Sequence, residues 1–462
     1  MKTILGDTIA AISTAPGQAA IAMVRLSGPE AISITDVVFE GKDLSKADTH
    51  TLHFGLLKDE ETLIDEVVIG IFRNPHSYTG EDIIEISCHG SDFIAHKVLD
   101  LVLSKGARMA EKGEFTLRSF INGKMDLSQA ESVADLIASH SDASHQLALK
   151  QLRGGVSDEI KKLREELINF ASLLELELDF AEEDVEFANR DQLKDLIRRV
   201  RVAVKKLIDS FAFGNAMKKG VPTVIAGRPN AGKSTLLNAL LEDERAIVSE
   251  IAGTTRDTIE EVLYIDGIPF RLIDTAGLRE ATDQIEAIGV ERAMQKVGES
   301  SVVMYVFDAS DMNPEDVNID IAKLKEAAAH INFIAVANKM DRNPYAKQSE
   351  WAGDHLNADD VLPVSAKNQM NIEFLKERLF GLIGLGKVDP QQQIISNSRH
   401  LNALRKVDES LHAVEDGFEQ QVTSDFIAMD MRQALHWLGE ITGEVSTDDI
   451  LGNIFSKFCI GK

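Results

Sequence analysis

The sequence has few cysteines and no long apolar run, and both absences narrow the class of protein. Its two cysteines, Cys88 and Cys459, can form neither a disulfide framework nor a zinc cluster, which is typical of a protein in a reducing cytoplasm. No apolar run reaches the roughly 18 residues that a membrane-spanning helix needs. An acid, Asp7, interrupts the first residues before an apolar signal-peptide segment can form. We therefore expect a cytoplasmic protein with no membrane partner.

Positive charge is also scarce. Lysine and arginine number 49 against 75 aspartate and glutamate residues, which leaves a net charge of −26. A protein that holds nucleic acid by indiscriminate contact with phosphates would carry the opposite sign. Any RNA partner would therefore need a local basic patch or the help of a second protein.

Hydrophobic periodicity divides the 462 residues into roughly three domains, at about 150 residues per domain. In residues 1–120, short apolar runs alternate with turn signals, which predicts an α+β domain. Residues 121–217 and 383–462 repeat apolar side chains every three or four positions, which predicts helices with one apolar face. Because two such half-bundles are expected to pack together, we predict one discontinuous helical domain, interrupted by an α/β domain over residues 218–382. The predicted fold class is multidomain, α/β and all-α.

The interrupting segment contains a phosphate-binding loop. Residues 227–234 read GRPNAGKS, follow the apolar run 221–226 and lead into a predicted helix over residues 235–241. This is the GxxxxGKS motif in its strand–loop–helix context. Backbone N–H groups of such a loop hold phosphates. Lys233 would neutralise the β- and γ-phosphate oxygens, and the Ser234 hydroxyl would ligate Mg²⁺.

Three downstream motifs follow predicted strands. In residues 274–277, DTAG, Asp274 can reach Mg²⁺ through water and the Gly277 N–H can bind the γ-phosphate. Residues 338–341 read NKMD, and residues 365–367 read SAK and form a further base-side loop.

The NKMD motif selects the base. The Asp341 carboxylate can accept two N–H bonds from guanine, and the Lys339 stem can cover the base. Adenine would leave that carboxylate unpaired, which favours GTP over ATP. Each motif lies where a predicted strand ends, the edge at which open α/β sheets bind ligands. The sequence therefore predicts a GTP-binding domain.

The order of these motifs, with GTTRD at residues 253–257, resembles the translation-factor-related GTPases. Flanking segments narrow the resemblance: SYTGED at 77–82, GEFT at 113–116, NGKMDL at 122–127 and FCIGK at 458–462. They are similar to the MnmE/TrmE family of bacterial tRNA-uridine-modifying GTPases, from about residue 6 to the last residue. The resemblance implies a Ras-like P-loop G domain and a tetrahydrofolate-binding N-terminal domain that also forms a constitutive homodimer.

The resemblance implies a nucleotide site built from the loop, switch and base motifs. Its residues would be Asn230, Ala231, Gly232, Lys233, Ser234, Thr235, Ser249, Glu250, Ile251, Ala252, Gly253, Thr254, Thr255, Asp274, Thr275, Ala276, Gly277, Asn338, Lys339, Asp341, Ser365, Ala366 and Lys367. Thr255 would join Ser234 in holding Mg²⁺. The family also places K⁺ beside the phosphates, on oxygens of Asn230, Ser249, Ile251 and Thr254, where a large cation adds positive charge.

The residues that promote hydrolysis are less obvious. In Ras-like switches a glutamine directly after the DTAG-type motif orients the attacking water. Here that position is Leu278, so the group must come from elsewhere. The nearby candidates are Arg279, Glu280, Asp283 and Glu286, and the resemblance implies Glu286, acting through a bridging water. The alternative, that Glu286 is only a first-turn acid of a helix, stays open.

Positive charge at the transition state often comes from an arginine finger. Arg256 and Arg279 could supply it, whereas the resemblance implies K⁺ in that place. We therefore predict a catalytic set of Glu286, Lys233 and Arg256. In the family, ordering of the switch loop accompanies G-domain dimerisation.

The resemblance also implies a folate site at Arg25, Glu85, Lys124 and Lys462, for 5,10-methylene-tetrahydrofolate or a 5-formyl analogue. A pterin edge donates N–H groups to a carboxylate such as Glu85, and folate carboxylates suit arginine or lysine. Glu81 remains a rival to Glu85. Cys459 in the terminal Cys-Ile-Gly-Lys tail is either a reactive thiol or a packing residue.

As a whole, the resemblance implies a homodimeric, K⁺-stimulated GTP hydrolase. With a flavoprotein partner of the MnmG/GidA type, in a heterotetramer or larger complex, it would add a carboxymethylaminomethyl or aminomethyl group to carbon 5 of the wobble uridine of certain tRNAs. FAD would be bound only by the partner. The alternative is a ribosome-assembly GTPase switch that binds rRNA without modifying it. Such proteins usually carry a basic RNA-binding module, and the sequence has none.

Overall fold

The computed structural model describes residues 6–179, 190–241, 260–274, 301–327, 331–382 and 393–461. The chain divides into two compact units. The first comprises Met1–Ala138, Leu149–Arg198 and Lys406–Lys462, and the second comprises Ser139–Ala148 and Arg199–Arg405. Strands and helices are numbered below in chain order.

A seven-stranded sheet forms the N-terminal part of the first unit. Its strands are β1 (Ile9–Ile12), β2 (Ile21–Ser27), β3 (Phe39–Glu40), β4 (Thr51–Asp59), β5 (Thr62–Phe72), β6 (Ile83–His89) and β7 (Arg108–Met109). Their spatial order is β3-β4-β5-β6-β2-β1-β7. Neighbouring strands are antiparallel except β1 and β7, which are parallel.

One face of this sheet packs on two helices, α1 (Ala31–Val38) and α2 (Asp92–Ser104). Alternate strand residues point to opposite faces, so Val24, Ile69 and Ile86 share one apolar core with Val98 and Val102 of α2. The side chains between them in the strands point away from this core. This arrangement confirms the predicted α+β character of the N-terminal region.

The first unit also contains helices from both ends of the chain. They are α3 (Glu114–Ile121), α4 (Leu127–Ile137), α6 (Gly155–Asp179), α12 (Ser424–Thr442) and α13 (Asp448–Phe455). Three further helices contain residues of both units: α5 (Asp142–Leu152), α7 (Arg190–Lys219) and α11 (Ser398–Glu419). Helix α6 packs along α12. Helices from before and after the α/β segment therefore pack together, as the predicted discontinuous helical domain requires.

The start of α4 is fixed by local hydrogen bonds. The Asp126 carboxylate accepts from the Gln129 backbone N–H, and the Gln129 side chain accepts from the Asp126 N–H, which is a capping box. The same carboxylate also accepts from Ser157 and from Lys161 of α6. One aspartate therefore begins α4 and holds it against α6.

A six-stranded sheet forms the centre of the second unit. Its strands are β8 (Val221–Ala226), β9 (Glu260–Ile265), β10 (Ile268–Asp274), β11 (Val302–Asp308), β12 (Asn332–Asn338) and β13 (Val361–Pro363). Their order is β13-β12-β11-β8-β10-β9, and all neighbours are parallel except the β9–β10 hairpin. Within the described residues, three α-helices lie wholly in this unit: α8 (Lys233–Leu241), α9 (Pro314–Ala327) and α10 (Ile372–Leu382).

Both faces of this sheet are buried. Val306 lies in one apolar core with Leu236 and Leu375, and its neighbour Phe307 lies in another with Ile321 of α9. Burial on both faces explains why the parallel strands are nearly continuous apolar runs. Since β8, β10, β11, β12 and β13 are parallel, their carboxyl ends meet at one edge, where ligands bind in open α/β sheets. Among the described residues, no helix has the length and apolarity that crossing a membrane requires.

Leu167 tests the packing of α6. Its side chain is completely buried, whereas Leu176 on the same helix is 37% exposed. We expect Leu167→Ala to lower the free energy of unfolding by about 2–5 kcal/mol, because it removes buried methyl groups and leaves a cavity. Leu176→Ala should cost about 1 kcal/mol or less. Urea unfolding followed by circular dichroism measures both values, and equal losses would contradict this account of the helix.

Candidate functional site

The loop between β8 and α8 allows very close approach of other backbone and side-chain atoms. Gly227 has φ +150°, and a Cβ there would lie 2.1 Å from the Val306 carbonyl oxygen. Gly232 has φ +90°, and a Cβ there would lie 2.4 Å from Asn338 Nδ2. Glycine is therefore required at both positions by space and by backbone conformation. The loop forms the tight curve that phosphate binding needs.

The loop lysine is mostly buried. Lys233 is 6% exposed, and its Nζ donates to the carbonyl oxygens of Gly227 (2.8 Å) and Arg228 (2.9 Å). The ammonium group therefore lies within the curve of the loop, where it can attract phosphate oxygens. Ser234 and Thr235 follow it at the exposed N-terminus of α8, where backbone N–H groups and the helix dipole favour anions.

Asn338 joins three loops at the carboxyl edge of the sheet. It ends β12 and is 2% exposed. Its Nδ2 donates to the Ala231 carbonyl (3.0 Å), and its Oδ1 accepts from the Ala366 N–H (3.1 Å). The phosphate loop, the NKMD motif and the SAK loop are therefore connected through one buried amide.

The other predicted base-side residues lie beside Asn338. Lys339 has φ +63°, and its Nζ donates to the Asn230 carbonyl (2.6 Å) and to Asp308 Oδ2 (2.7 Å). Ser365 Oγ donates to Asp341 Oδ1 (2.7 Å). This bond holds the pKa of the exposed Asp341 carboxyl below its usual value, so the group remains a hydrogen-bond acceptor at neutral pH. Lys367 is exposed.

In the first unit, Arg25 and Glu85 lie directly opposite each other on β2 and β6. Arg25 donates from Nε (3.0 Å) and from one terminal nitrogen (2.7 Å) to Glu85 Oε1. The guanidinium carbon lies 5.9 Å from the centroid of the Tyr78 ring and 5.8 Å from that of Phe115. Both charged side chains are about one-fifth exposed, at 19% and 21%. The site thus offers an oriented arginine, a carboxylate and two aromatic rings.

The structure separates Glu81 from Glu85. The Glu81 carboxylate accepts from Ser27 Oγ (2.7 Å) and from the fully buried Arg118 (3.2 Å). Among the described residues, Glu85 Oε2 has no hydrogen-bond donor, so this oxygen can accept from a ligand. The geometry therefore favours Glu85 over Glu81 as the ligand-facing carboxylate.

Arg118 also ties the Glu81 loop to other acids. Its guanidinium donates to Asp7 (2.6 Å) and to Glu114 (3.0 Å). Burial alone raises the pKa of Glu114, but hydrogen bonds from Arg108 and Arg118 outweigh that effect and lower it. These ion pairs hold the loop that carries Glu81 in place beside the Arg25–Glu85 pair.

Lys124 and the C-terminal tail approach the same region. Lys124 Nζ donates to the Pro75 carbonyl (3.0 Å), in the loop that carries Tyr78. Ile460 pairs with Lys112, directly before the helix that carries Phe115, and Ser13 Oγ donates to the Gly461 carbonyl (3.3 Å). Tyr78 and Phe115 are the rings beside Arg25, so three of the four predicted folate positions, Arg25, Glu85 and Lys124, lie in one region of the first unit, together with Gly461, the residue before the fourth.

The two cysteines differ. Cys88 is buried, which raises the pKa of its thiol to about 11, and Cys459 is exposed. Among the described residues, no cluster of histidine, cysteine and acidic side chains could hold a metal ion. Exposure leaves both interpretations of Cys459 open.

Several predicted site residues lie outside the described residues. They are Ser249, Glu250, Ile251, Ala252, Gly253, Thr254, Thr255, Arg256, Thr275, Ala276, Gly277, Glu286 and Lys462, with the alternatives Arg279, Glu280 and Asp283. Asp274 is described as the last residue of β10, beside Ile225 of β8. These assignments stay predictions.

Two contributors were missed by sequence reasoning. Asp308 pairs with Lys339, and Phe115 packs beside Arg25. A signal for Asp308 was present, because it ends a buried strand just as Asp274 does. Phe115 lies in the GEFT segment at 113–116, but its place beside Arg25 depends on how α3 packs against the sheet.

Known proteins resemble this chain along its whole length. The family model described as "GTP-binding protein TrmE N-terminus" matches residues 8–124, and "MnmE helical domain" matches residues 127–459. A "tRNA modification GTPase MnmE" of Cytophaga hutchinsonii is 53% identical over 456 residues, which cover 99% of this chain and 98% of that protein. Proteins of the same name from Christiangramia forsetii and Flavobacterium psychrophilum are 51% and 50% identical, each over 99% of this chain and 100% of the relative.

Gly232 tests the shape of the phosphate loop. We expect Gly232→Ala to raise the Kd for a fluorescent guanine nucleotide at least tenfold, since backbone strain of about 1–3 kcal/mol adds to the clash with Asn338. Gly381→Ala is the control, because a Cβ at Gly381 in α10 meets nothing within 4 Å. Fluorescence titration of the purified proteins measures both values. Wild-type affinity in the Gly232 variant would contradict the proposed packing.

Proposed function

The chain belongs to the MnmE family of tRNA modification GTPases, and on that premise we propose the reaction that it serves. It is a GTP hydrolase that takes part in tRNA modification. The reaction we propose is the addition of a carboxymethylaminomethyl or aminomethyl group to carbon 5 of the wobble uridine of certain tRNAs. One observation carries this proposal: a single chain holds both a guanine-nucleotide loop system and a separate arginine–carboxylate site with aromatic walls.

The nucleotide site of the second unit would select guanine over adenine by the hydrogen bonds that each base can form. Asp341 would accept two N–H bonds from guanine, and the bond from Ser365 supports this by orienting the carboxylate. Lys233 would neutralise phosphate oxygens from within the loop curve. Because adenine has no matching donors, ATP would leave Asp341 without its partners on the base, which favours GTP.

The phosphate side would be completed by cations. Ser234 and Thr255 would hold Mg²⁺, with Asp274 reaching it through water, and the ion would neutralise charge on the β- and γ-phosphate oxygens. K⁺ would bind oxygens of Asn230, Ser249, Ile251 and Thr254. The exposed position of Ser234 at the N-terminus of α8 and the left-handed conformation of Asn230 fit these assignments.

Hydrolysis would need a group that orients water, because Leu278 cannot. We assign this role to Glu286, acting through a bridging water, with Lys233 and Arg256 as the cationic members of the catalytic set. K⁺ would add positive charge at the transition state. We propose that the loop that holds K⁺ becomes ordered when two G domains meet, so that hydrolysis depends on their dimerisation.

The first unit would bind a one-carbon tetrahydrofolate, either 5,10-methylene-tetrahydrofolate or a 5-formyl analogue. Glu85 Oε2 would accept N–H bonds from the pterin, and Arg25 would hold Glu85 in place while Tyr78 and Phe115 provide apolar walls. Lys124 and Lys462 would meet the folate carboxylates. The bound folate would supply the one-carbon unit.

The open sheet face supports a homodimer. Leu52 and Phe54 of β4 are 73% and 68% exposed. Leu52 pairs with Gly70, Gly70 with Glu85 and Glu85 with Arg25, so the exposed Leu52 lies on the same face as the Arg25–Glu85 pair. Large exposed apolar side chains mark interaction sites. A second copy that covers this face would also enclose the folate site.

The charge of the chain supports a second protein in the complex. At a net charge of −26, it is poorly suited to hold tRNA alone. We propose a flavoprotein partner of the MnmG/GidA type, in a heterotetramer or larger complex, which would carry FAD and provide much of the contact with tRNA.

The potassium site gives a direct prediction. We expect the kcat for GTP in KCl to exceed that in NaCl by about tenfold or more, because a cation of the right size adds charge that an arginine finger can otherwise supply. Rb⁺, which is similar in size to K⁺, should replace it, and Li⁺ should not. Phosphate release at equal ionic strength measures this. Equal rates in all four salts would remove the cation from the mechanism.

Modification of tRNA is tested in a deletion strain that carries either the wild-type gene or a variant. We expect mass analysis of tRNA nucleosides to detect the modified wobble uridine with the wild type and with Glu61→Gln, an exposed turn residue. It should be absent with Glu85→Gln, while purified Glu85→Gln retains GTP hydrolysis. Unaltered nucleosides in the deletion strain, together with accumulating ribosome precursors, would instead support a ribosome-assembly switch.

A further inference from the structure

The Lys339 ammonium group is held from two sides. Its Nζ lies 2.7 Å from Asp308 Oδ2 and 2.6 Å from the Asn230 carbonyl oxygen. The side chains of Asp308 and Lys339 are 17% and 23% exposed, so solvent screens this ion pair only in part. The lysine thus connects the end of β11 with the phosphate loop.

Sheet register brings the two charges together. Asp308 ends β11 and pairs with Asn338, the residue directly before Lys339, on the parallel neighbour β12. The Ala309 N–H donates to the Asn338 carbonyl (2.9 Å), which extends the pairing past the strand ends. Backbone structure therefore keeps the carboxylate within reach of the lysine.

Asp308 is itself held in one orientation. Its Oδ1 accepts from the Ser310 N–H (3.0 Å) and from Ser310 Oγ (2.6 Å), which leaves Oδ2 directed at Lys339. Burial alone raises the pKa of Asp308, but the bonds from Lys339 and Ser310 outweigh that effect and lower it. The carboxylate is consequently ionised at neutral pH.

We propose that Asp308 is a positioning residue for guanine-nucleotide binding: it orients Lys339 and, through Lys339, fixes the Asn230 carbonyl of the phosphate loop. This inference rests on the proposed GTP site. A lysine side chain has a long flexible stem, and ordering it costs conformational entropy. Because the Asp308 carboxylate already orders the Lys339 side chain before the nucleotide binds, more of the contact energy appears as affinity.

Loss of Asp308 should affect nucleotide binding and GTP turnover differently. The Asp308 carboxylate bonds to Ser310 and to Lys339 of the NKMD motif, which is on the base side of the proposed site, so its loss should weaken nucleotide binding and leave kcat nearly unchanged. A residue that only stabilised its own turn through Ser310 would act independently of Lys339. A double-mutant cycle with Lys339 distinguishes these two roles.

The test uses the full-length protein and mant-GDP, a fluorescent guanine nucleotide, as the probe. We expect Asp308→Asn to raise the Kd about tenfold, as for loss of a charge-assisted hydrogen bond, and to raise the KM for GTP similarly. The kcat should change less than about twofold. In a Lys339→Ala background, Asp308→Asn should change the Kd by less than about twofold, because the two residues act as one unit.

Two further variants complete the experiment. Asp311→Asn removes an equal charge three residues away, where the carboxylate is exposed, and should leave the Kd at the wild-type value. Asp308→Glu keeps the charge and should recover part of the affinity. If Asp308→Asn does not fold, Asp308→Glu takes its place in the double-mutant cycle with Lys339→Ala. The inference then requires that Asp308→Glu bind mant-GDP more weakly than wild type. It also requires that the effects of the two substitutions on the Kd be non-additive.

Three outcomes would overturn the inference. The Kd could be unchanged in the Asp308 variants, the tenfold loss could persist when Lys339 is alanine, or kcat could fall as much as affinity. Failure of wild-type protein to bind mant-GDP or hydrolyse GTP would overturn the proposed GTP site and this inference with it. Binding by wild type and by Asp308→Asn with equal Kd would overturn the inference alone.

Discussion

The buried amide of Asn338 is the interaction on which the nucleotide site depends. It donates to the Ala231 carbonyl of the phosphate loop and accepts from the Ala366 N–H of the SAK loop. At 2% exposure, water cannot replace either partner, and an unpaired buried polar group costs about 1–3 kcal/mol. Gly232 allows the amide to approach this closely, because any larger residue would meet Asn338 Nδ2. Asn338 thus joins the loops that would hold phosphate and base, and Lys339 adds a second bond to the phosphate loop.

The Arg25–Glu85 site of the first unit depends on a different feature of the backbone, the pairing of antiparallel strands. In the second unit, parallel strands bring their ends together, whereas here antiparallel pairing places Arg25 and Glu85 side by side in mid-strand. One sheet face packs on α1 and α2, and the other face carries this ion pair with the exposed side chains of Leu52 and Phe54. Buried Arg118 supports the adjoining loop from within by binding Glu81. The ligands that we propose match these two geometries: a triphosphate at strand ends and a flat ring system on a sheet face.

How far each site can be predicted from the sequence depends on how many residues of chain separate its interacting side chains. Lys233 and Ser234 belong to a loop of a few residues between a strand and a helix, and that local context indicates phosphate binding. The helical segments were also predictable, since Leu163 and Leu167 recur at a period that buries one face of α6. That α6 packs along α12 was an expectation from their apolar faces, and the structure confirms it.

Residue types and short spacings alone were enough to predict a phosphate loop, a guanine-selecting carboxylate at Asp341, and helices with one apolar face. These signals are local, so each can be interpreted within one strand end or one helix. Only the tertiary structure decided that Lys339 pairs with Asp308, 31 residues away, and that Arg118 engages Glu81 while Arg25, 60 residues from its partner, engages Glu85. Such pairings depend on strand register and on which face a side chain takes, and a shift of one residue would reverse that face.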